Sequence, residues 1–164
     1  MTRSQHEKVR PGRLKLSFLG NPEVYLGSQK LTFRTRKVLA LLVYLALEPG
    51  FHSRDKLAAL LWPEADQDKG RANLRGALAR LRDDLQGAAS VLQIEREAIG
   101  ILPNQLDLDV IGLEAAYKQM SQSQADLEEK LSGAAQLLRG ELLEGFDVLE
   151  VPEFDEWLQV EREK

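Results

Sequence analysis

Residues 70–86, GRANLRGALARLRDDLQ, carry two patterns on one stretch, and together they limit what the chain can fold into. Leu74, Leu78, Leu81 and Leu85 recur at helical spacing and form one apolar stripe that must be buried. Arg71, Arg75, Arg80 and Arg82 occupy the rest of the cylinder, with Asn73 among them. At about 100° per residue, Asn73, Gly76 and Arg80 point nearly opposite the leucines, while Arg71, Arg75 and Arg82 flank the stripe on one side. A helix anchored by one face and basic, partly small, on the other has the form of one that enters a groove of nucleic acid. The plain alternative is a solvated helix whose arginines keep it soluble, and the flanking sequence decides between them.

Upstream, residues 1–12 read as a disordered tail ending at Pro11-Gly12, polar and basic, without the apolar segment of a signal peptide. Residues 13–19 alternate polar and apolar, with Leu14, Leu16 and Phe18 on one face, as a half-buried strand does. Turns at residues 20–22 and 27–28 separate further strands at 23–26 and 30–33, giving a small antiparallel meander that must lay its apolar face on something. Thr35 then caps a helix whose stripe is Val38, Leu41, Leu42 and Leu45, stopped by Pro49-Gly50. After an extended link at 51–53, Ser53 caps a second helix through Leu57, Leu60, Leu61 and Trp62, ended by Pro63. An acidic loop, 64–69, leads into the arginine-rich helix, and the apolar runs 91–94 and 99–102 form a hairpin around residues 95–98. Phe33, Leu42, Trp62 and Leu81 are expected in the core. Helix, short turn, basic helix and hairpin in that order describe a winged helix-turn-helix of the α+β class, here with an N-terminal antiparallel β-meander and the hairpin as wing.

The net charge of −4 conceals an uneven distribution. Residues 1–106 carry 17 Lys/Arg against 11 Asp/Glu, whereas residues 107–164 carry 5 against 15. The first unit, 13–106, therefore suits a polyanion, and the second, 107–164, suits protein contacts or solubility. In the second unit Asp109 caps a helix bearing Val110, Leu113, Tyr117 and Met120, residues 121–123 break it, and residues 126–139 form another with Leu127, Leu131, Ala134 and Leu138. Leu142, Leu143, Phe146, Val148 and Leu149 cross a loop, and Pro152 opens a last helix carrying Phe154, Trp157 and Leu158. Three amphipathic helices with acidic outer faces look like the start of a helical-hairpin array, expected to be incomplete at Lys164. The absence of cysteine excludes disulfides, thiolate zinc sites and cysteine nucleophiles. The ten-residue apolar run 38–47 is too short to span a bilayer, so a cytoplasmic, nucleoid-associated protein without membrane partners is expected. His6 and His52 have no metal partners in range, and no phosphate loop, zincin helix or nucleophile elbow occurs, so neither an enzyme nor a cofactor is expected.

The runs LTFRTRKVLALLVYLAL at 31–47, LAALLWP at 57–63, RANLR at 71–75 and LARLR at 78–82 resemble the SARP family of bacterial transcriptional activators. RGELLEGF at 139–146 and PEFDEW at 152–157 resemble that family's bacterial transcriptional activation domain. The resemblance runs from about Arg13 onward, with separated motifs in the family's order. It implies an OmpR-like winged helix followed by an all-α, TPR-like segment. It also implies binding to direct repeats at a promoter, a possible homodimer on DNA, and contact with RNA polymerase. Family members usually carry a longer helical domain than this chain does.

Within the basic helix Asn73, Arg75 and Arg80 are the candidates for base edges, since Asn pairs with adenine and Arg with guanine. Ala72 and Gly76 would let the helix sit deep in the groove. Lys69, Arg71 and Arg82 are placed for phosphates, as are Ser53 and Arg54 at the start of the preceding helix. Arg96 at the hairpin tip, flanked by two glutamates, and Arg34 and Arg36 before the first long helix are further candidates for wing or backbone contact. For any one of the helix arginines the plain alternative is surface charge or an ion pair with Asp83 or Asp84. The competing function is a protein-interaction adaptor, in which the winged fold no longer binds DNA and the acidic helices carry the activity.

Overall fold

A computed structural model describes residues 13–122, 127–148 and 150–164; the expected tail at 1–12, Ser123, Asp126 and Leu149 lie outside the described residues. The architecture is mixed α+β. Strands β1 (Leu14–Ser17), β2 (Glu23–Leu26) and β3 (Gln29–Lys30) form the meander, followed by helix α1 (Arg36–Leu47). Strand β4 (His52–Ser53), helix α2 (Arg54–Leu61) and helix α3 (Gln67–Leu85) come next. A 3-10 turn at Gln86–Val91 leads to the hairpin strands β5 (Leu92–Ile94) and β6 (Ala98–Ile101). Strand β7 (Leu106–Leu108) precedes helices α4 (Asp109–Gln122), α5 (Leu127–Leu137) and α6 (Pro152–Arg162).

The caps fall where the side chains dictate. The Thr35 hydroxyl accepts from the Val38 amide at 3.2 Å, and Ser53 accepts from Lys56 at 3.1 Å. Helix α3 starts three residues before the expected Gly70, because Asp66 accepts from the Lys69 amide at 2.8 Å and draws the end of the acidic loop into the first turn. The third strand is shorter than expected: after Lys30 the backbone leaves the sheet once Leu31 has donated to the Val24 carbonyl, and residues 31–33 are not strand. Phe33 and Trp62, expected in the core, are half-buried at its margin, and Lys37 lies over the Trp62 ring, 5.4 Å from its centroid.

Two sheets frame the helices. One has the order β3-β2-β1-β7, with β1 and β2 antiparallel and β7 parallel to β1 (Leu14 opposite Leu106, Leu16 opposite Leu108). The other has the order β4-β6-β5, so the two-residue strand before α2 joins the hairpin. One continuous apolar core takes Leu14, Leu16 and Phe18 from β1 and its end, Leu41, Leu42 and Leu45 from α1, Leu57 and Leu61 from α2, and Leu74, Leu78, Leu81 and Leu85 from α3. Gly70 lies at the α2–α3 crossing, where an added Cβ would meet the Ala58 methyl at 3.4 Å.

The acidic segment is fastened to this frame at its two ends. Asp109 does not cap α4 as expected. Its carboxylate accepts from the Phe18 and Leu19 amides at 3.0 and 2.8 Å, closing the end of β1, and only Val110 of its own helix bonds to it. Leu143 donates to the Phe18 carbonyl at 2.7 Å, and Arg139 donates to the carbonyls of Ser17 and Asn21 at 2.9 and 3.1 Å. Pro152 opens α6 as expected. Phe154 and Leu158 are buried in the common core, Trp157 stacks edge-on against Tyr44 of α1 at 4.9 Å, and its indole N–H donates to Glu48 at 2.9 Å. Helices α4 and α5, by contrast, contribute no buried residue; Tyr117, Leu127, Leu131 and Leu138, expected to form apolar stripes, are all exposed.

This division predicts the response to truncation. Phe154→Ala is expected to cost about 3–5 kcal/mol in urea unfolding, as a fully buried aromatic does, whereas Leu131→Ala on α5 is expected to cost less than about 1 kcal/mol.

Candidate nucleic-acid interface

The apolar stripe of α3 is buried as its spacing requires, and Gly70 and Ala77 extend it. What remains outside includes a band of small residues, Ala72, Gly76 and Ala79, bordered by cations on both sides, with the exposed carboxylates of Asp68 near its start and Asp83 near its end. Arg75 and Arg82 lie on one border with Arg71, and Lys69 and Arg80 lie on the other. Ala72 is exposed, whereas Asn73 and Gly76 are half-buried. A glycine in mid-helix is destabilising by about 0.5–1 kcal/mol relative to alanine. Gly76 has no internal reason to be one: an added Cβ would approach nothing closer than the Arg80 guanidinium at 4.0 Å.

The sequence-derived cations separate into two groups by what already holds them. Arg71 lies on Asp55 of α2 in a bidentate pair, Nε to Oδ1 at 2.7 Å and Nη2 to Oδ2 at 2.8 Å. Asp83 and Asp84, the partners considered for the helix arginines, instead receive Arg34, at 3.7 and 3.3 Å. The Arg34 amide also donates to Asp84 at 3.1 Å. Arg36 pairs with Asp147 and so ties the start of α1 to the acidic segment. Arg54 braces the hairpin turn: its Nε donates to the Arg96 carbonyl at 2.8 Å, its Nη2 to Glu95 at 2.9 Å, and its amide to Glu97 at 3.1 Å. The Ser53 hydroxyl is used in the α2 cap. Among the described residues, Lys69, Arg75, Arg80 and Arg82 have no carboxylate within 4 Å, and Arg96, almost fully exposed, has only its neighbour Glu97 at 3.7 Å.

An open cleft of about 700 Å³ lies between the α2 N-terminus, the first half of α3 and the hairpin tip. It brings together Arg54, the α3 pair Arg71 and Arg75, and Arg96 from three separate segments, with Asp55, Asp68 and Glu97 among them. Arg80, Arg82, Lys69, Arg34 and Arg36 lie outside it. Of the carboxylates in this cleft, Glu97 is the expected neighbour of Arg96 and Asp68 comes from the acidic loop, but Asp55 has no signal that ties it to the site. Asp55 was recognisable only as an acidic residue in the first turn of a helix, which favours it there through the helix dipole but says nothing of Arg71. Among the described residues no group of three or more His, Cys, Asp or Glu is placed to hold a metal ion, and no helix is long and apolar enough to cross a membrane.

The pair has an electrostatic signature. The hydrogen bonds from Arg71 hold the Asp55 carboxyl below the ordinary aspartate value of 3.8, and the carboxylate in turn pushes the Arg71 guanidinium up. Because the folded value is the lower one, the pair's contribution to stability is full above pH 3.8 and is lost as pH falls through the folded value. In an NMR titration Asp55 is expected to have its midpoint below 3.8, and Arg71→Ala is expected to return it toward 3.8.

No protein-family model matches the sequence, and no curated protein matches it. A solved structure of Mycobacterium tuberculosis EmbR in complex with a low-affinity phosphopeptide has a similar fold, with a TM-score of 0.65 over 92% of this chain at 23% identity. The likeness extends over both the basic and the acidic parts. This chain spans 42% of the EmbR chain.

Proposed function

We propose that this protein is a sequence-specific, double-stranded DNA-binding transcriptional regulator, with α2 and α3 as the helix-turn-helix and the β5–β6 hairpin as wing. The observation that carries the reading is the two-sided character of α3. One face is locked into the core, and the other presents Ala72, Gly76 and Ala79 between cations of which Lys69, Arg75, Arg80 and Arg82 have, among the described residues, no carboxylate within 4 Å. A helix of this kind can approach base edges closely while Arg75 and Arg80 reach to either side of it. Arg82, Lys69 and Arg96 are free to meet phosphates, and Arg54 acts by holding the wing beside α3 rather than by contacting DNA itself. Arg34 and Arg36, each already paired, serve the frame.

The residues resembling the SARP family, together with the EmbR-like fold, support the further reading of an activator. In it, residues 13–106 bind promoter direct repeats and residues 107–164, TPR-like and acidic, face protein partners, RNA polymerase among them. A homodimer on DNA belongs to the same reading. The shared core gives this arrangement a physical basis, since α6 is packed on α1 and cannot move independently of the DNA-facing unit without exposing Phe154 and Leu158.

Fluorescence anisotropy of a labelled duplex against salt tests the reading. Affinity is expected to fall steeply between low and physiological salt, since each neutralised phosphate releases counterions and contributes about −0.9 to the log–log slope. Arg75→Ala with Arg80→Ala is expected to remove roughly 2–6 kcal/mol of discrimination between cognate and unrelated duplex, if each makes one bidentate base contact. No duplex binding at low salt would leave the adaptor as the better account. Gly76→Ala separates function from folding: it is expected to stabilise the chain by about 0.5–1 kcal/mol in urea unfolding while weakening duplex binding.

A further inference from the structure

The Asp55–Arg71 pair lies inside the cleft between α3 and the wing, yet a phosphate ligand would not be built this way. Phosphate binding draws on net positive charge and on counterion release. Asp55 cancels the charge of Arg71 at 2.7 Å and would itself repel a phosphate. What the pair retains is direction. Asp55 occupies the Nε/Nη2 side of the guanidinium, and Gln67 donates to the same carboxylate at 3.4 Å. The end edge remains, with one proton of Nη1 and one of Nη2 pointing outward side by side. Among the described residues this edge has no acceptor. Two parallel N–H groups in a fixed plane match the O6 and N7 acceptors of guanine in the major groove.

Resting on the DNA-binding reading above, we infer that Arg71 is a specificity-determining residue that reads a guanine through its Nη1/Nη2 edge, with Asp55 as the positioning residue that orients it. This assigns Arg71 differently from the sequence pattern, which put it among the phosphate contacts. The location agrees, because Arg71 lies in the first turns of α3 and base contacts of such helices come from their N-terminal residues. The carboxylate also fixes the rotamer before binding, so the side-chain ordering that a free arginine must undergo on the DNA is already complete. A charge-neutral reader adds discrimination with little non-specific affinity. Such a division suits a cleft in which Arg75 and Arg96 already supply positive charge.

The test is selection of bound sites from a random duplex pool with the full chain, followed by salt-dependent anisotropy on the selected site. Wild type is expected to require a guanine at one position. Arg71→Lys, which keeps the charge and loses the planar fork, is expected to reduce preference at that position by about tenfold or more and to leave the other positions unchanged. Asp55→Asn is expected to lower the same preference and to raise affinity for unrelated duplex, since it removes a negative charge from the cleft. Arg71→Ala leaves Asp55 unneutralised and is expected to lower affinity for unrelated duplex slightly, while the number of neutralised phosphates, and so the salt slope, stays unchanged. Circular dichroism establishes that each variant is folded, and Arg71→Lys and Asp55→Asn provide two independent routes to the answer. A uniform loss across all sequences in Arg71→Ala, with the salt slope reduced by about one, would make Arg71 a phosphate contact and overturn the inference. An unchanged motif in both Arg71→Lys and Asp55→Asn would overturn it in favour of a brace between α2 and α3. Absence of duplex binding by wild type would instead overturn the DNA-binding reading on which the inference rests.

Discussion

Burial of one edge of α3 is the constraint from which the rest of the arrangement follows. Leu74, Ala77, Leu78, Leu81 and Leu85 are essentially inaccessible against α1 and α2, so the helix cannot rotate about its own axis without lifting a leucine out of the core. Each buried leucine is worth roughly 1.5–3 kcal/mol relative to an exposed one, which makes even a small rotation costly. The orientation of Ala72, Arg75, Gly76 and Arg80 is therefore set by packing. No polar interaction at the surface is needed to aim them.

Around that fixed helix the ion pairs act as spacers. Arg71–Asp55 sets α3 against α2, Arg34 with Asp83 and Asp84 sets its far end against the start of α1, and Arg54 fixes the hairpin turn against α2. These are mostly exposed contacts, individually weak. Their value lies in geometry, since they decide which cations remain available. Half of the arginines that sequence pattern alone would send to a ligand are occupied inside the protein. The remainder, Arg75, Arg80, Arg82 and Arg96 with Lys69, are spread along and beside one exposed face.

Local sequence carried most of the helical architecture, because its signals are local in origin. Thr35 and Ser53 reach amides three residues on, and the leucines of α3 repeat within a single element. The losses came where a residue's partner is distant. Asp109 has the position of a helix cap, but its carboxylate is claimed by two amides at the end of β1, more than 85 residues earlier in the chain. The three residues of β7 have too little length to announce a strand, and only their parallel register with β1 makes them one. At the interface, the basic character of α3 was legible, whereas the partner of Arg71 was not. Asp55 and Arg71 stand 16 residues apart across the turn between two helices, a separation that no helical or strand periodicity picks out. The expectation of apolar stripes on α4 and α5 met the opposite difficulty: the pattern is present, but Val110, Leu113, Met120 and Ala134 are only half-buried, and Tyr117, Leu127, Leu131 and Leu138 face solvent instead of the common core.

The outward face of α3, flanked by the braced hairpin, is the surface proposed to meet DNA. Amide chemical-shift mapping of the full chain on addition of a cognate duplex tests it most directly. Perturbations are expected to concentrate in Gln67–Leu85, the first turn of α2 and residues 95–97, with α4 and α5 unaffected. Perturbations confined to α4, α5 or α6, with α3 and the hairpin unchanged, would contradict it.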